Sequence, residues 1–414
     1  MHDGPVPAVM STAHVHPAIT SWLEANLDQV ITWRREIHAA PELSRGEFAT
    51  TAKVVDVLTG AGLSPVVLPQ GTGVVCDIGP ADRPRIGLRA DLDALPVPEQ
   101  TGLPFTSRVD GVSHSCGHDA HSAILMGVGC LLAGVGSDEP GAAQTPGAGL
   151  PFSARLIFQA AEEVMPGGAL DAIDAGVTDG LSRIFALHCE PHLQAGTVGL
   201  RSGPLTSAAD RIEVHLHGPG GHTSRPHLTA DLVYAMGTLI TGLPGILARR
   251  VDPRSGTVMS WGAVHSGDAP NAIPQEGRMR GTVRTGSHEV WDELEPLVRS
   301  IVGELLAPLG VSYDLTYVRG VPPVVNDDEA VGLLRRAVVA MGPDAEVDTP
   351  QSAGGEDFAW YLQHVPGAMA RLGVWSGVGP QCDLHQPNFD VDERALGVGV
   401  ATLAGVVLDG DLRV

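Results

Sequence analysis

The sequence predicts an α/β protein in which a mixed sheet flanked by helices is interrupted by a smaller ferredoxin-like βαββαβ unit. Three observations carry this. Short apolar runs alternate with helical patterns through the first half of the chain, the signature of strand–helix units on one sheet. From Asp210 the pattern becomes strictly alternating, Arg211-Ile212-Glu213-Val214-His215-Leu216-His217, the mark of a strand with one wet face. A chain of 414 residues is also too long for one ordinary core. The expected plan is a disordered leader over 1–17, a larger domain in two parts (18–207 and 321–414) and an inserted domain at 208–320.

The elements follow in order. A helical pattern begins at Ala18, with Leu23, Leu27, Val30, Ile31 and Ile37 on one side, and Pro41 ends it. Ser44-Arg45-Gly46-Glu47 has the form of a capping box and predicts a second helix to Gly60. Arg85-Ile86-Gly87-Leu88-Arg89 reads as a strand ending in Ala90-Asp91-Leu92-Asp93 and delivering Asp91 at its carboxyl end. The apolar run Ala123 to Ala133 is too short to span a bilayer and reads as a buried helix starting near Asp119. Gly134 to Pro151, rich in Gly, Pro and Ala, reads as a solvent loop. Two more strands follow, Arg155 to Gln159 running into Glu162-Glu163, and Arg183 to Leu187 ending on His188.

In the inserted unit, the loop Gly218-Pro219-Gly220-Gly221-His222 leads to a helix at 229–249. Strands at 256–265 and 276–285, a helix at 288–307 and a strand at 311–318 complete the βαββαβ order. Helices at 327–341, 355–363 and from Glu393 to Leu408 are expected beyond it, with His385 in a polar turn-rich loop.

Composition narrows the function. A formal charge of −22 argues against nucleic acid and anionic membrane as partners. Five cysteines, odd in number and scattered, suit a reducing compartment. Met1 to Pro17 has neither the basic nor the apolar region of a signal peptide, and no apolar run is expected to reach transmembrane length. A cytoplasmic protein is the expectation.

The chemistry gathers around His114-Ser115-Cys116-Gly117-His118-Asp119-Ala120-His121. Cys116 and His118 are expected in the loop entering the helix, where unpaired N–H groups favour a thiolate. A thiolate and an imidazole two residues apart begin a metal site. Alone, the pair could equally be a buried thiol beside a capping Asp; the Glu pair could be a solvated turn, and His188 and His385 ordinary histidines. Together, Cys116, His118, Glu163, His188 and His385 are donors at strand ends and helix-entry loops, where open α/β sheets bind ligands. They could hold one or two divalent ions. Glu162, pointing away from its neighbour, is then the candidate general base for a water acidified by the metal.

Arg89-Ala90-Asp91-Leu92-Asp93-Ala94-Leu95-Pro96, the His114–Asp119 stretch, Phe158-Gln159-Ala160-Ala161-Glu162-Glu163, Gly220-Gly221-His222, Asn271-Ala272-Ile273-Pro274 and Gly354-Gly355-Glu356-Asp357-Phe358 occur in that order, followed by Leu384-His385. Together they resemble the amidohydrolase branch of the aminoacylase/carboxypeptidase G metallopeptidase family, which includes hippurate hydrolases, N-acyl-amino-acid deacylases and auxin-conjugate hydrolases. The resemblance covers nearly the whole chain beyond Trp33, and ordered motifs are far more specific than any one alone. Ser115 and Ala160 depart from the branch's usual Ala and Pro, both beside ligands rather than at them.

The resemblance implies a metallopeptidase-type catalytic domain interrupted by a lid, or dimerisation, domain, and hence a homodimer. It implies a pair of divalent ions (zinc, manganese, cobalt or nickel) on Cys116, His118, Glu163, His188 and His385, with Glu162 as acid and base. His222 would reach a neighbouring subunit's site, and Asn271 and Arg284 would hold the substrate's carboxylate. The expected reaction is hydrolysis of an N-acyl amino acid. A dipeptidase or carboxypeptidase would use the same chemistry, and a binding protein on this fold should have lost a ligand or the base.

Overall fold

In a computed structural model, the residues described are 14–136 and 146–409. The expected leader therefore lies largely outside them, as does the middle of the Gly134–Pro151 loop. The chain divides into two compact units: 1–203, 326–350 and 360–414 form the first, and 204–325 with 351–359 the second.

The first unit is built on an eight-stranded sheet. Ser153–Gln159, Arg85–Asp91, Leu181–Gln194 and Gly367–Trp375 lie side by side at its centre, mutually parallel. Val74–Ile78 pairs antiparallel with Ser153–Gln159 on one side, and Val198–Leu200 antiparallel with Gly367–Trp375 on the other. The strand Gly367–Trp375 has no counterpart in the sequence reading. All its residues but the last are buried, so it shows none of the alternation that marks a half-wet strand. The helix His118–Gly134 is buried at every position except Cys130 and Gly134, as an all-round apolar helix must be. Pro17–His38 and Arg394–Leu408 pack against it.

The capping box is not formed. The second helix starts at Phe48, after Glu47, and the Ser44 hydroxyl donates instead to Asp93 Oδ2 at 2.6 Å. The first-turn N–H groups of Ala49 and Thr50 are satisfied by the Glu42 carboxylate at 3.0 and 2.8 Å. A carboxylate from outside the helix has replaced the local cap.

The second unit is a four-stranded antiparallel sheet in the order Val258–His265, Glu276–Arg284, Asp210–His217, Ser312–Val318, with the helices Leu232–Arg250 and His288–Leu306. Buried Asp210 accepts from Trp291 Nε1 (3.0 Å), the Gly320 N–H (2.8 Å) and the Tyr317 hydroxyl (2.7 Å), so one carboxylate ties strand, helix and closing strand. The helix expected at 355–363 is only Phe358–Tyr361, preceded by two glycines and started by Glu356 Oε1 accepting from the Phe358 N–H. A further correction concerns Leu232–Arg250. At 19 residues it is long and apolar enough to cross a membrane by length and composition, contrary to the sequence expectation. Leu232, Ala235, Met236, Leu239, Leu243 and Leu247 are its buried residues, the single-sided stripe of a core helix. Val233, Tyr234 and Ile240 on its other side are exposed.

Candidate metal centre

Gly117 sets up the centre. It caps the His118–Gly134 helix in the left-handed region (φ 87°), and a Cβ there would lie 2.7 Å from Cys189 Sγ, so only glycine fits the bend. Cys116 precedes the bend; His118, expected in the loop, is the first residue of the helix. The helix start is anchored from behind, because buried Asp119 Oδ2 accepts from Arg34 Nε and His38 Nδ1, each at 2.8 Å.

Each candidate imidazole is oriented by its second nitrogen. His118 Nδ1 donates to the Asp93 carbonyl at 2.9 Å, since a carbonyl can only accept. That leaves His118 Nε2 buried with no hydrogen-bond partner, 3.8 Å from Glu163 Oε1, which is likewise buried and accepts no hydrogen bond. His188 Nδ1 donates to the Cys189 carbonyl at 2.8 Å, turning Nε2 toward Cys116 Sγ at 3.6 Å. His385 Nε2 lies 3.4 Å from Glu163 Oε1. The donor atoms of Cys116, His118 and His188 fall within 4.8 Å of one another, as do those of Cys116, Glu163 and His385, and those of His118, Glu162 and Glu163. All five expected ligands and the expected base are thus brought together. Fixing one ring nitrogen so that the other is free is how metal-binding histidines are prepared.

Two aspartates missed as site residues build the surrounding frame. Buried Asp93 accepts the Glu162 N–H through Oδ1 and the Glu163 N–H through Oδ2, both at 3.0 Å, while its carbonyl holds His118. Asp91 accepts from His121 Nδ1 at 2.7 Å and Arg89 Nη1 at 2.6 Å. His121 Nε2 in turn accepts the Cys189 N–H at 2.8 Å. Both nitrogens of His121 are therefore engaged, which makes it a strut rather than a ligand. The available signal was the Asp-Leu-Asp run at a strand's carboxyl end, where alternate residues share a face. Ala161 and His385 both sit in the left-handed region (φ 58° and 64°), a conformation costly for residues with a Cβ, and both adjoin this centre.

The electrostatics fit a cation. Burial, then the nearby Glu163 carboxylate, push the Cys116 thiol well above its usual range, so protein groups alone would keep it protonated. A divalent ion reverses that order and holds a thiolate. Burial raises Asp91, but His118, His121 and Arg89 more than offset it and hold the carboxylate well below its ordinary value. His188 is depressed by burial and then by Arg371, which keeps its imidazole neutral, the form that ligates. A thiolate, imidazoles and a carboxylate of this kind suit zinc, and also accept manganese, cobalt or nickel.

The remaining expected residues lie in the second unit. His222 is exposed, its Nδ1 accepting from Ser224 N–H and hydroxyl at 3.1 and 2.9 Å. It pairs with Ala272 in a two-stranded ribbon, which sets Asn271 beside it. Arg284 is elsewhere: it stands at the C-terminal end of Glu276–Arg284, opposite Val258, and donates to the Ala353 carbonyl. The ribbon lies beyond the other end of that strand, so Arg284 and Asn271 of one chain are separated by about 25 Å, the rise of a strand of that length.

The sequence profile of peptidase family M20/M25/M40 matches residues 87–409. A Rhodococcus jostii protein described as a putative glutamate–cysteine ligase 2-3 is 52% identical over 93% of this chain, which spans about half (48%) of that relative's length. The N-acetylcysteine deacetylase of Bacillus subtilis is 37% identical over 92% of this chain and 97% of its own. Among solved structures, Bacillus subtilis YXEP, described as a dinuclear metal binding peptidase of the M20 family, superposes with a TM-score of 0.79 at 34% identity, covering 93% of this chain and 98% of that one.

Proposed function

The chain belongs to peptidase family M20/M25/M40, and from that premise we propose that it is a metal-dependent amidohydrolase cleaving N-acyl amino acids to a carboxylic acid and a free amino acid. One observation carries the reading: two buried ligand atoms that make no hydrogen bond, His118 Nε2 and Glu163 Oε1, face each other beside Cys116, with Glu162 next in sequence. Cys116, His118, Glu163, His188 and His385 would hold two divalent ions. Bound there, the ions supply Lewis acidity for the scissile carbonyl and acidify the attacking water. Glu162 takes the proton from that water on its carboxylate and returns it to the leaving amine nitrogen. Asp93 keeps this carboxylate in place by fixing the backbone of both glutamates. The first unit is the catalytic body in this reading, and the second the lid.

The same reading makes the active form a homodimer through the lid. A single carboxylate cannot bridge the roughly 25 Å between Arg284 and Asn271 of one chain. Arg284 from one subunit and the Asn271–His222 ribbon from its partner can share it. Exposed Val233, Tyr234 and Ile240, with Val258 and Val264 on the edge strand of the lid sheet, are apolar surface of the kind such a contact covers.

A guanidinium and a side-chain amide holding the substrate's carboxylate set the test. The assay is kcat/KM for an N-acyl amino acid and for its methyl ester and primary amide, on unmodified protein and Arg284→Ala. The acid should be preferred by roughly 10- to 150-fold, the effect of one hydrogen bond to a charged group, and Arg284→Ala should narrow that gap. Equal rates on all three forms with unmodified protein would remove Arg284 and Asn271 from the site and indicate a broad amidase.

A further inference from the structure

Arg371 is the charged side chain that the reading above leaves without a task. It lies in the central strand Gly367–Trp375 and is only 6% exposed. In the parallel register it stands directly opposite His188 on the neighbouring strand, so the two side chains share a face of the sheet, one strand spacing (about 5 Å) apart. On its other side the partner is Gly199, where an added Cβ would lie 3.3 Å from Arg371 Cβ and 2.8 Å from the Leu193 and Thr349 side chains, so only a glycine lets the strands pack this closely around Arg371. Its guanidinium makes no hydrogen bond or ion pair with any described residue. Glu190, the acidic residue of the adjoining strand, is turned to His192, whose N–H and Nδ1 it meets at 3.1 and 2.8 Å.

A buried guanidinium without an anion is costly, and more so beside a centre that gathers cations. An anion that arrives with the substrate resolves this. We propose that Arg371 is a specificity-determining residue that binds a second carboxylate of the substrate, so that dicarboxylic N-acyl amino acids are the preferred class. The inference rests on the N-acyl amino acid reading, in which the α-carboxylate is already held by Arg284 and Asn271. The second carboxylate belongs either to an acidic amino-acid side chain or to a dicarboxylic acyl group. The chemistry Arg371 recognises is the same in both cases: a planar carboxylate facing a planar fork of donors.

The test compares N-acetylmethionine (one carboxylate) with N-acetylglutamate and N-succinylmethionine (two), using the metal-loaded protein. One of the two dicarboxylates should exceed N-acetylmethionine in kcat/KM by roughly 10- to 100-fold, and which one tells the half of the substrate that reaches Arg371. Arg371→Met, similar in length and uncharged, should bring that ratio close to one, and Arg371→Lys should retain part of it. No preference in unmodified protein, or a ratio unchanged in Arg371→Met, overturns the proposal. A binding readout needs neither turnover nor a variant: calorimetry should show glutarate binding more tightly than butyrate by a similar factor, and equal affinities contradict Arg371 as an anchor. If no N-acyl amino acid of either class is hydrolysed while glutarate still binds preferentially, the substrate reading has failed and the anion site stands.

Discussion

Replacing Asp93 by Asn tests whether the frame behind the centre positions the two glutamates. The carboxylate accepts from Glu162 N–H, Glu163 N–H and the Ser44 hydroxyl, and is itself 1% exposed. An amide has one accepting oxygen. If that oxygen keeps the Glu162 N–H, the NH₂ group meets Ser44, which can turn to accept, and faces the Glu163 N–H donor to donor. A buried N–H left without a partner costs about 1–3 kcal/mol, and the bond that remains loses its charge assistance. Together these predict a loss of roughly 3 kcal/mol in unfolding free energy. The turn carrying Glu162 and Glu163 would also be released, and a misplacement of about 1 Å is enough to cost on the order of 100-fold in rate. Denaturant melts, metal analysis and kcat/KM on Asp93→Asn measure all three effects. Stability within about 0.5 kcal/mol of the unmodified protein, the range of an ordinary surface substitution, together with unchanged kcat/KM, would refute the clamp.

Further outcomes follow from the same structure. Mixing inactive His222→Ala with inactive Glu162→Gln protein should recover activity in heterodimers, which hold one intact site; no recovery despite demonstrated subunit exchange would mean that His222 acts within its own chain or not at all. Buried His114 is held down to about 4, chiefly by burial, against about 6.5 in an unfolded chain. Between those values the unfolded chain takes up a proton the folded one refuses, so this contribution to stability is lost as pH falls. It amounts to about 2 kcal/mol between pH 7 and pH 5. His114→Asn should flatten that part of the profile in chelator-treated protein, and an unchanged slope from urea melts at the two pH values would count against it.

Much of the centre was legible because its residues carry their chemistry in their identity. Cys116, His118, Glu163, His188 and His385 are all donor types; apolar patterning put Cys116 at the helix entry and Glu163 just beyond a strand, whereas His118 proves to open the helix and His188 lies inside the longer strand Leu181–Gln194. The residues that orient these donors were less legible. Nothing local marks Asp93 as the acceptor for two backbone N–H groups some 70 residues away, or Arg34 as the partner of Asp119. Ser44 misled for a related reason: its capping-box spacing is real, but a buried carboxylate competed for the hydroxyl and Glu42 supplied the cap instead. The strand Gly367–Trp375 was missed although equally buried strands such as Arg85–Asp91 were read, because Arg371 interrupts its apolar run at the middle and not at an end. Arg371 went unremarked with it.

The central claim is that Glu162 moves protons while Glu163 helps hold metal. The most direct measurement is metal content together with single-turnover hydrolysis of an N-acyl amino acid by Glu162→Gln and Glu163→Gln. Glu162→Gln should keep both ions and lose about 100-fold or more in rate, while Glu163→Gln should lose metal as well. Metal lost from Glu162→Gln, or metal kept in Glu163→Gln with the larger loss of rate, would contradict it and exchange the two roles.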